Sequence, residues 1–457
     1  MAKVTFMGAG STVFCRNVLG DCMCREPLQD IEIALYDIDG QRLKESKAIL
    51  DNLNKNFNKG RAKISCYLGV ENRKAALKGA DFVVNAIQVG GYEPSTVIDF
   101  EIPKKYGLRQ TIADTLGIGG IFRALRTIPV MLDFAKDMEA VCPNTWFLNY
   151  TNPMAMLTGA MLRGTSVKTV GLCHSVQVCC WSLLHSLGLC SDTQYQEDES
   201  CKNLGYRWKI AGINHMAWLL ELTKDGKDVY PEIRKLGKAF VKKNRGHLEH
   251  PEVCGANLVR LQMMEDFGYY VTESSEHNAE YAPFWIKKNY PELVTEFGIP
   301  LDEYPRRCVN QIEGWKKEYA SLKKTKLTHK LSREYGSAIM EAVLTDKPIQ
   351  IGGNVLNKGF ITNLPSDAVV EVPCLVNAQG VNGSYVGALP PQCAAMNMTN
   401  INVQLLTIEA ALTRKKEHIY QAAMLDPHTA AELSIDDIKK MCDDLIDAHG
   451  NMLPKYR

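Results

Sequence analysis

The first forty residues narrow the fold more than any other stretch. "KVTFMG" at 3–8 is a short β-rich run that ends in "GAGST" at 8–12; an amphipathic stretch follows from Val13 towards Cys24. "IEIALYDID" at 31–39 is a second apolar run that closes on acids. A strand, a glycine turn, a helix and a second strand with a terminal acid form the opening unit of a nucleotide-binding α/β sheet. Gly8 and Gly10 permit a tight turn that brings backbone N–H groups up to a pyrophosphate at the helix N-terminus, beside Ser11 and Thr12. Asp37 is placed to bond the adenosine ribose hydroxyls, which favours NAD over NADP. The fingerprint is incomplete, because Val13 stands at the third glycine position.

The same rhythm continues. "ADFVVNAI" at 80–87, "NTWFLNYTNP" at 144–153 and "VKTVGLC" at 167–173 read as further strands, separated by helical patterns such as "FRALRTIPVMLDFAKDMEAV" at 122–141. Near-continuous apolar strands alternating with helices imply a parallel sheet covered on both faces. After about residue 200 longer helices, around 308–324 and 402–424, surround shorter β-like runs such as "AVVEVPCLVNAQGV" at 368–381. The expected architecture is α/β: a Rossmann-like, lactate/malate dehydrogenase-like NAD-binding lobe over 1–200, and an α+β lobe over 201–457 for substrate, metal and oligomerisation. No repeat or low-complexity linker separates them, so an interface between the lobes is expected.

A net charge of +1 over 457 residues argues against a polyanion-binding surface, hence against nucleic acid. The one basic run, "KKTK" at 323–326, reads as a solvated helix face. No stretch reaches the roughly 18–20 apolar residues that span a bilayer. With no signal-peptide pattern at the start, the expected location is the cytoplasm. The fifteen cysteines are then expected to be reduced, buried small hydrophobes. Cys22/Cys24 and Cys179/Cys180 lack a second matching pair and do not read as zinc clips.

"YTNPM" at 150–154 resembles the asparagine–proline turn beside the nicotinamide in lactate and malate dehydrogenases. Those enzymes use a histidine in a G-x-H-G loop, which this chain lacks. The nearest string, "DAHGN" at 447–451, sits at a helix end and reads as a cap. A net sugar or hydroxy-acid dehydrogenase is therefore the runner-up, and a non-enzymatic NAD sensor a third possibility. Cys173, in "GLCHS", lies at the C-terminal end of an expected parallel strand, where such sheets bind ligands. With His215, in "GINHMAW", it could hold a divalent ion; the alternative is a buried strand thiol and a satisfied core histidine. Two ligands are too few for a closed structural site, so positions would remain open for substrate or water.

"GAGST", "LYDID", "IQVGGYEP", "IADTLGIGGIFRALRTIP", "NYTNPMAM", "GLCHS", "GINHMAW", "VTESSEHNAEY", "EYPRRC", "TNINVQ" and "AAMLDPHTA", in that order from residue 3 to about 453, together resemble glycoside hydrolase family 4. Within it they look most like the NAD- and Mn-dependent α-galactosidases. The resemblance implies NAD⁺ and Mn²⁺ as cofactors, an α-galactoside such as melibiose as substrate, and a homodimer or homotetramer. It also implies an unusual hydrolysis. NAD⁺ oxidises C3 of the sugar, and the metal polarises the resulting ketone. A base then removes the acidified C2 proton, the glycosidic oxygen leaves C1, water adds, and hydride returns to C3. Other α-glycosidases of the family, acting on α-glucosides, α-galacturonides or 6-phospho sugars, are alternatives.

By the same resemblance Cys173 and His215 are metal ligands, Asn152 contacts a sugar hydroxyl, Tyr281 is the base, and Asp114 raises its basicity. By chemistry alone Asp114 could equally cap the glycine-led helix after it. His174 departs from the phospho-branch, which carries aspartate after the metal cysteine. It stands either as leaving-group acid or as a group that orients substrate. His277 and Glu280 could join either role or sit as polar residues on the surface. Thiolate plus imidazole by themselves favour zinc or iron, whereas manganese prefers oxygen.

Overall fold

The computed structural model describes residues 1–197, 201–248 and 257–457. Six strands run parallel: β1 (Lys3–Met7), β2 (Glu32–Asp37), β3 (Lys63–Leu68), β4 (Phe82–Asn85), β5 (Trp146–Asn149) and β6 (Lys168–Gly171). Their spatial order is β3-β2-β1-β4-β5-β6, the doubly wound dinucleotide-binding order, which reverses between β1 and β4. Every residue of β1 and β4 is buried. Successive side chains of a strand point to opposite faces, so the sheet is covered on both. β3 was not legible as a strand: its "KISCYL" is an edge with only Ile64 and Tyr67 half-buried, so no apolar run marks it.

The second half adds β7 (Tyr206–Ile213), β8 (Met216–Lys224), β9 (Lys227–Asp228), β10 (Tyr270–Val271), β11 (Ile349–Leu356), β12 (Val369–Asn377) and β13 (Gly380–Gly383). These pair antiparallel and extend the same sheet rather than forming a second one: β11 meets β6 at Asn354–Gly171, β12 lies on β11, and Gly212 of β7 meets Glu371 of β12. The sheet thus crosses the expected lobe boundary at 200/201, where residues 198–200 lie outside the described ones. The chain also wraps back. After the helix Glu303–Leu322, Leu327 donates its N–H to Asn52, and Ser332 donates both N–H and Oγ–H to buried Asp21 in the helix Thr12–Cys24.

Four local expectations change. The β-like run 368–381 is two strands that turn at 378–379. The helix expected around 402–424 is two, Pro391–Thr413 and Lys416–Leu425, broken where Arg414 takes φ +64°. "KKTK" lies past the end of its helix at Leu322, so it is exposed turn and not a helix face. His449 does end the helix Ile435–His449, but its ring is buried against Asp99 (Nε2–Oδ1 2.9 Å) and stacks on Phe122, so it is a core group and not a solvated cap. Among the described residues no helix is long and apolar enough to cross a membrane.

Candidate active site

The nucleotide end of the site is built by β1 and its turn. Gly8 adopts φ +85°, and a Cβ there would lie 2.7 Å from the Ala86 carbonyl oxygen, so only glycine fits. The N–H groups of Gly8 and Ala9 both bond the Tyr36 carbonyl at 3.0 Å. The helix Thr12–Cys24 then starts at Ser11 without any side-chain cap. Its first N–H groups are those an anion would take, which fits a pyrophosphate. Val13 is 40% exposed, which explains the missing third glycine: that position faces outward and packs on no strand. Asp37 ends β2 with one carboxylate oxygen accepting from Gly10 N (2.5 Å) and the other from Asp39 N (2.8 Å). It braces the turn from the position where a ribose would lie.

A cavity of about 270 Å³ runs from Ser11 past Arg123 and Asn152 to Cys173 and His174, so the glycine turn and the thiol open into one space. Its walls are the C-terminal ends of β4, β5 and β6. Asn152 donates from Nδ2 to Asp114 Oδ2 (3.3 Å), while its own Oδ1 is buried without a partner. Arg123 donates to the Asn152 carbonyl (3.2 Å).

Cys173 and His215, 42 positions apart, meet at 3.3 Å between Sγ and Nε2. β6 delivers the thiol. The two-residue turn Asn214–His215 between β7 and β8 delivers the imidazole, with His215 at φ +64°. A third group joins them that the sequence did not single out: Glu273, with Oε2 3.5 Å from the same Nε2. The three donor atoms lie within 4.8 Å of one another. Glu273 follows β10 at φ +67°, and no spacing signal links it to Cys173 or His215. The donor set of thiolate, imidazole and carboxylate fits a divalent cation, and the oxygen moderates the softness that thiolate and imidazole alone would give.

Tyr281 is fully buried, with its hydroxyl 3.1 Å from the other His215 nitrogen, Nδ1. Asp114 lies beyond it: Thr115 Oγ donates to Asp114 (2.7 Å) and also bonds Tyr281. Asp114 caps no helix, since the helix Gly117–Val141 begins at Leu116 without a side-chain cap. Neither His277 nor Glu280 is a surface group. The His277 ring is buried, with Nδ1 2.7 Å from Ser274 Oγ and Nε2 3.9 Å from Asp114. Glu280 accepts three successive backbone N–H bonds, from Thr111 (2.8 Å), Ile112 (3.2 Å) and Ala113 (2.9 Å). That clamp holds Ala113 at φ +53° and so sets the direction of Asp114. Three non-glycine residues in the left-handed region, Ala113, His215 and Glu273, therefore surround one site, each at a cost on the order of 1–3 kcal/mol.

The electrostatics favour a cation at the centre. Burial, then Glu371 and Glu273, push the Cys173 thiol up. Burial, then Asp114, Glu280 and Glu273, push the Tyr281 phenol well up. Burial alone would raise Glu273, but His215, His277 and Arg260 more than offset it and hold the carboxyl at about 2. Asp114 is likewise held low against its burial by Arg123, His277 and His215. A positive ion among these groups stabilises thiolate, carboxylate and phenolate together.

His174 faces the cavity from the other side, Nε2 2.8 Å from Glu334. Glu334 was also unmarked in the sequence. It arrives on the segment anchored by Asp21, next to Tyr335, whose hydroxyl accepts from Cys173 N (2.8 Å) and lies 3.0 Å from the Cys173 carbonyl oxygen.

The whole chain is also similar to known proteins. A family model described as family 4 glycosyl hydrolase matches residues 3–189, and that of the family's C-terminal domain matches 210–429. An alpha-galactosidase of Bacillus subtilis (strain 168) is 60% identical over 458 residues, covering 100% of both chains. An alpha-galactosidase of Rhizobium meliloti (strain 1021) is 32% identical over 99% of this chain and 89% of that one. Among solved structures, a 6-phospho-alpha-glucosidase from gut microorganisms, in complex with NAD and Mn²⁺, shares the fold with a TM-score of 0.79 at 20% identity, over 100% of both chains. With both halves matched and one relative alike from end to end, the chain belongs to glycoside hydrolase family 4.

Proposed function

We propose that this hydrolase cleaves terminal α-D-galactosides such as melibiose, using NAD and Mn²⁺. The observation that carries this reading is the single cavity joining the glycine turn to Cys173 and His174, with His215 bridging Cys173 and Tyr281. The galactoside is supported by the alpha-galactosidase that is 60% identical over the full chain. NAD supplies reversible oxidation at C3 and the divalent ion supplies Lewis acidity.

The chain's own residues do the rest. Gly8, Gly10, Ser11 and Thr12 form the turn that seats the pyrophosphate, and Asp37 takes the ribose side. Cys173 and His215 would hold the ion, with the Glu273 carboxylate beside them. Asn152 turns its unpartnered Oδ1 toward a sugar hydroxyl. With Nε2 of His215 bound to the ion, the ring proton would sit on Nδ1 and be donated to the Tyr281 oxygen, 3.1 Å away, which would favour the phenolate as the base for the C2 proton. Asp114 supports that role through Thr115 and Asn152. His174, fixed by Glu334, supplies a proton to the leaving oxygen or orients the sugar.

The two lobes divide near residue 200, the enzyme works in the reducing cytoplasm, and it assembles as a homodimer or homotetramer. A panel of aryl glycosides assayed with and without NAD⁺ and Mn²⁺ tests the reading. Release of phenol from the α-galactoside only when both are present is expected. Full activity after both are removed, or NADH accumulating in step with substrate, ends it.

A further inference from the structure

The geometry points to Glu273 as a third protein ligand of the divalent ion, which rests on the reading of Cys173 and His215 as its first two. The position is built by the sheet. Tyr270 and Val271 pair with Leu219 and Trp218, Thr272 donates its N–H to the Ala217 carbonyl (2.8 Å), and Ala217 N donates back to Thr272 Oγ (3.0 Å). This register sets Glu273 beside the Asn214–His215 turn, and the backbone is forced to φ +67° there. One carboxylate oxygen, Oε1, accepts from Ser274 N (3.1 Å). The other, Oε2, faces His215 Nε2 at 3.5 Å.

That same nitrogen faces the Cys173 sulfur at 3.3 Å. A single N–H shared by both acceptors would make two long, bent bonds, whereas both spacings suit donors sharing one ion. Metal bonds of about 2.0–2.3 Å put neighbouring donors roughly 3–3.6 Å apart. The consequence is an ion seated before sugar arrives and a set with one hard oxygen, which moves preference from zinc toward manganese.

Mn²⁺ binding to the full-length protein with NAD present and no sugar, followed by loss of the free-ion EPR signal, tests this. Glu273→Gln is expected to weaken Mn²⁺ by about tenfold or more, to keep NAD affinity, and to shift the Mn²⁺/Zn²⁺ preference toward zinc. Cys173→Ser is expected to weaken Mn²⁺ as well. Unchanged Mn²⁺ affinity in Glu273→Gln with loss in Cys173→Ser overturns the Glu273 assignment and leaves the other two ligands standing. Unchanged affinity in both overturns the metal pair itself. If Glu273→Gln loses NAD binding through misfolding, Glu273→Asp decides: weaker Mn²⁺ with NAD kept supports the ligand, and unchanged Mn²⁺ overturns it.

Discussion

The Tyr281 hydroxyl lies 3.1 Å from Nδ1 of His215, while Nε2 of the same ring lies 3.3 Å from the Cys173 sulfur. One imidazole thus separates base from thiol, and what happens at Nε2 decides whether Nδ1 carries the ring proton and donates it to Tyr281. Tyr281→Phe keeps the buried ring and removes only the phenol oxygen. We expect kcat to fall on the order of 10²–10⁴-fold, the usual worth of a positioned base, with KM and NAD affinity little changed. Sugar deuterated at C2 should then react more slowly relative to protiated sugar than it does in the wild type. An unchanged kcat would show that another group takes the proton.

Glu280 offers a second test, because it acts on Asp114 without touching it. Its Oε1 accepts from Ala113 N, and Oε2 accepts from Thr111 N and Ile112 N. In Glu280→Gln one of these positions becomes an amide NH₂ facing a backbone N–H. Leaving a buried donor unpaired costs about 1–3 kcal/mol, and the loop can escape by turning Ala113 out of φ +53°. The expected result is a lower Tm together with a kcat loss larger than any change in KM. A lower Tm with normal kcat would make the clamp purely structural.

The parallel, two-face-covered sheet and the glycine turn were legible because short-range pattern marks them: apolar runs such as "FVVN" suit a strand buried on both faces, and glycines between a strand and a helix suit a tight turn. The position of Cys173 was legible for the same reason, at the end of a readable strand, whereas Asn152 was marked only by the family resemblance. Glu273 and Glu334 were not. Each reaches the site by a route that sequence does not encode locally, one through the β8–β10 register and the other through a segment pinned by Asp21. β3 escaped because an edge strand needs no continuous apolar run. His449 was misread because a histidine at a helix end has the same local sequence whether it meets water or the Asp99 carboxylate.

Gly8→Ala probes the nucleotide end alone. The new Cβ would sit 2.7 Å from the Ala86 carbonyl oxygen at φ +85°. We expect destabilisation of at least about 2 kcal/mol from strain and displacement, with NAD affinity down by tenfold or more while Mn²⁺ binding persists. Calorimetric titration with each separates the effects. Wild-type NAD affinity in this variant would place the pyrophosphate elsewhere.

Chelation should reverse cleanly if Cys173, His215 and Glu273 hold an exchangeable ion. Activity is expected to fall by more than about a hundredfold after dialysis against EDTA, to return on adding Mn²⁺, and to leave NAD binding intact throughout. Cys173→Ser is expected to reproduce the loss without rescue at the same Mn²⁺ concentration. Rescue of that variant to full activity would remove the thiol from the site's chemistry.

Glu371 sits one layer beneath, and its titration gives a stability prediction with a definite sign. Its Oε1 accepts from Asn354 (2.9 Å) and Asn214 (3.3 Å), while Oε2 is buried without a partner. Burial pushes the carboxyl up to about 7, although the two asparagines and His215 act against it. Unfolded, it titrates near about 4.3. Between these values the native state holds a proton that the unfolded chain has released, so stability falls as pH rises through the window and is fully present only below it. Glu371→Gln keeps both asparagine bonds and has nothing to ionise. In the metal-free protein the variant should match wild type near pH 4 and exceed it progressively up to pH 8, by up to about 4 kcal/mol. Denaturant melts at both pH values measure the gap directly. A gap that does not change with pH would mean that Glu371 titrates alike in the folded and unfolded protein, so that it is charged near neutrality and Oε2 meets a cation or donor of its own.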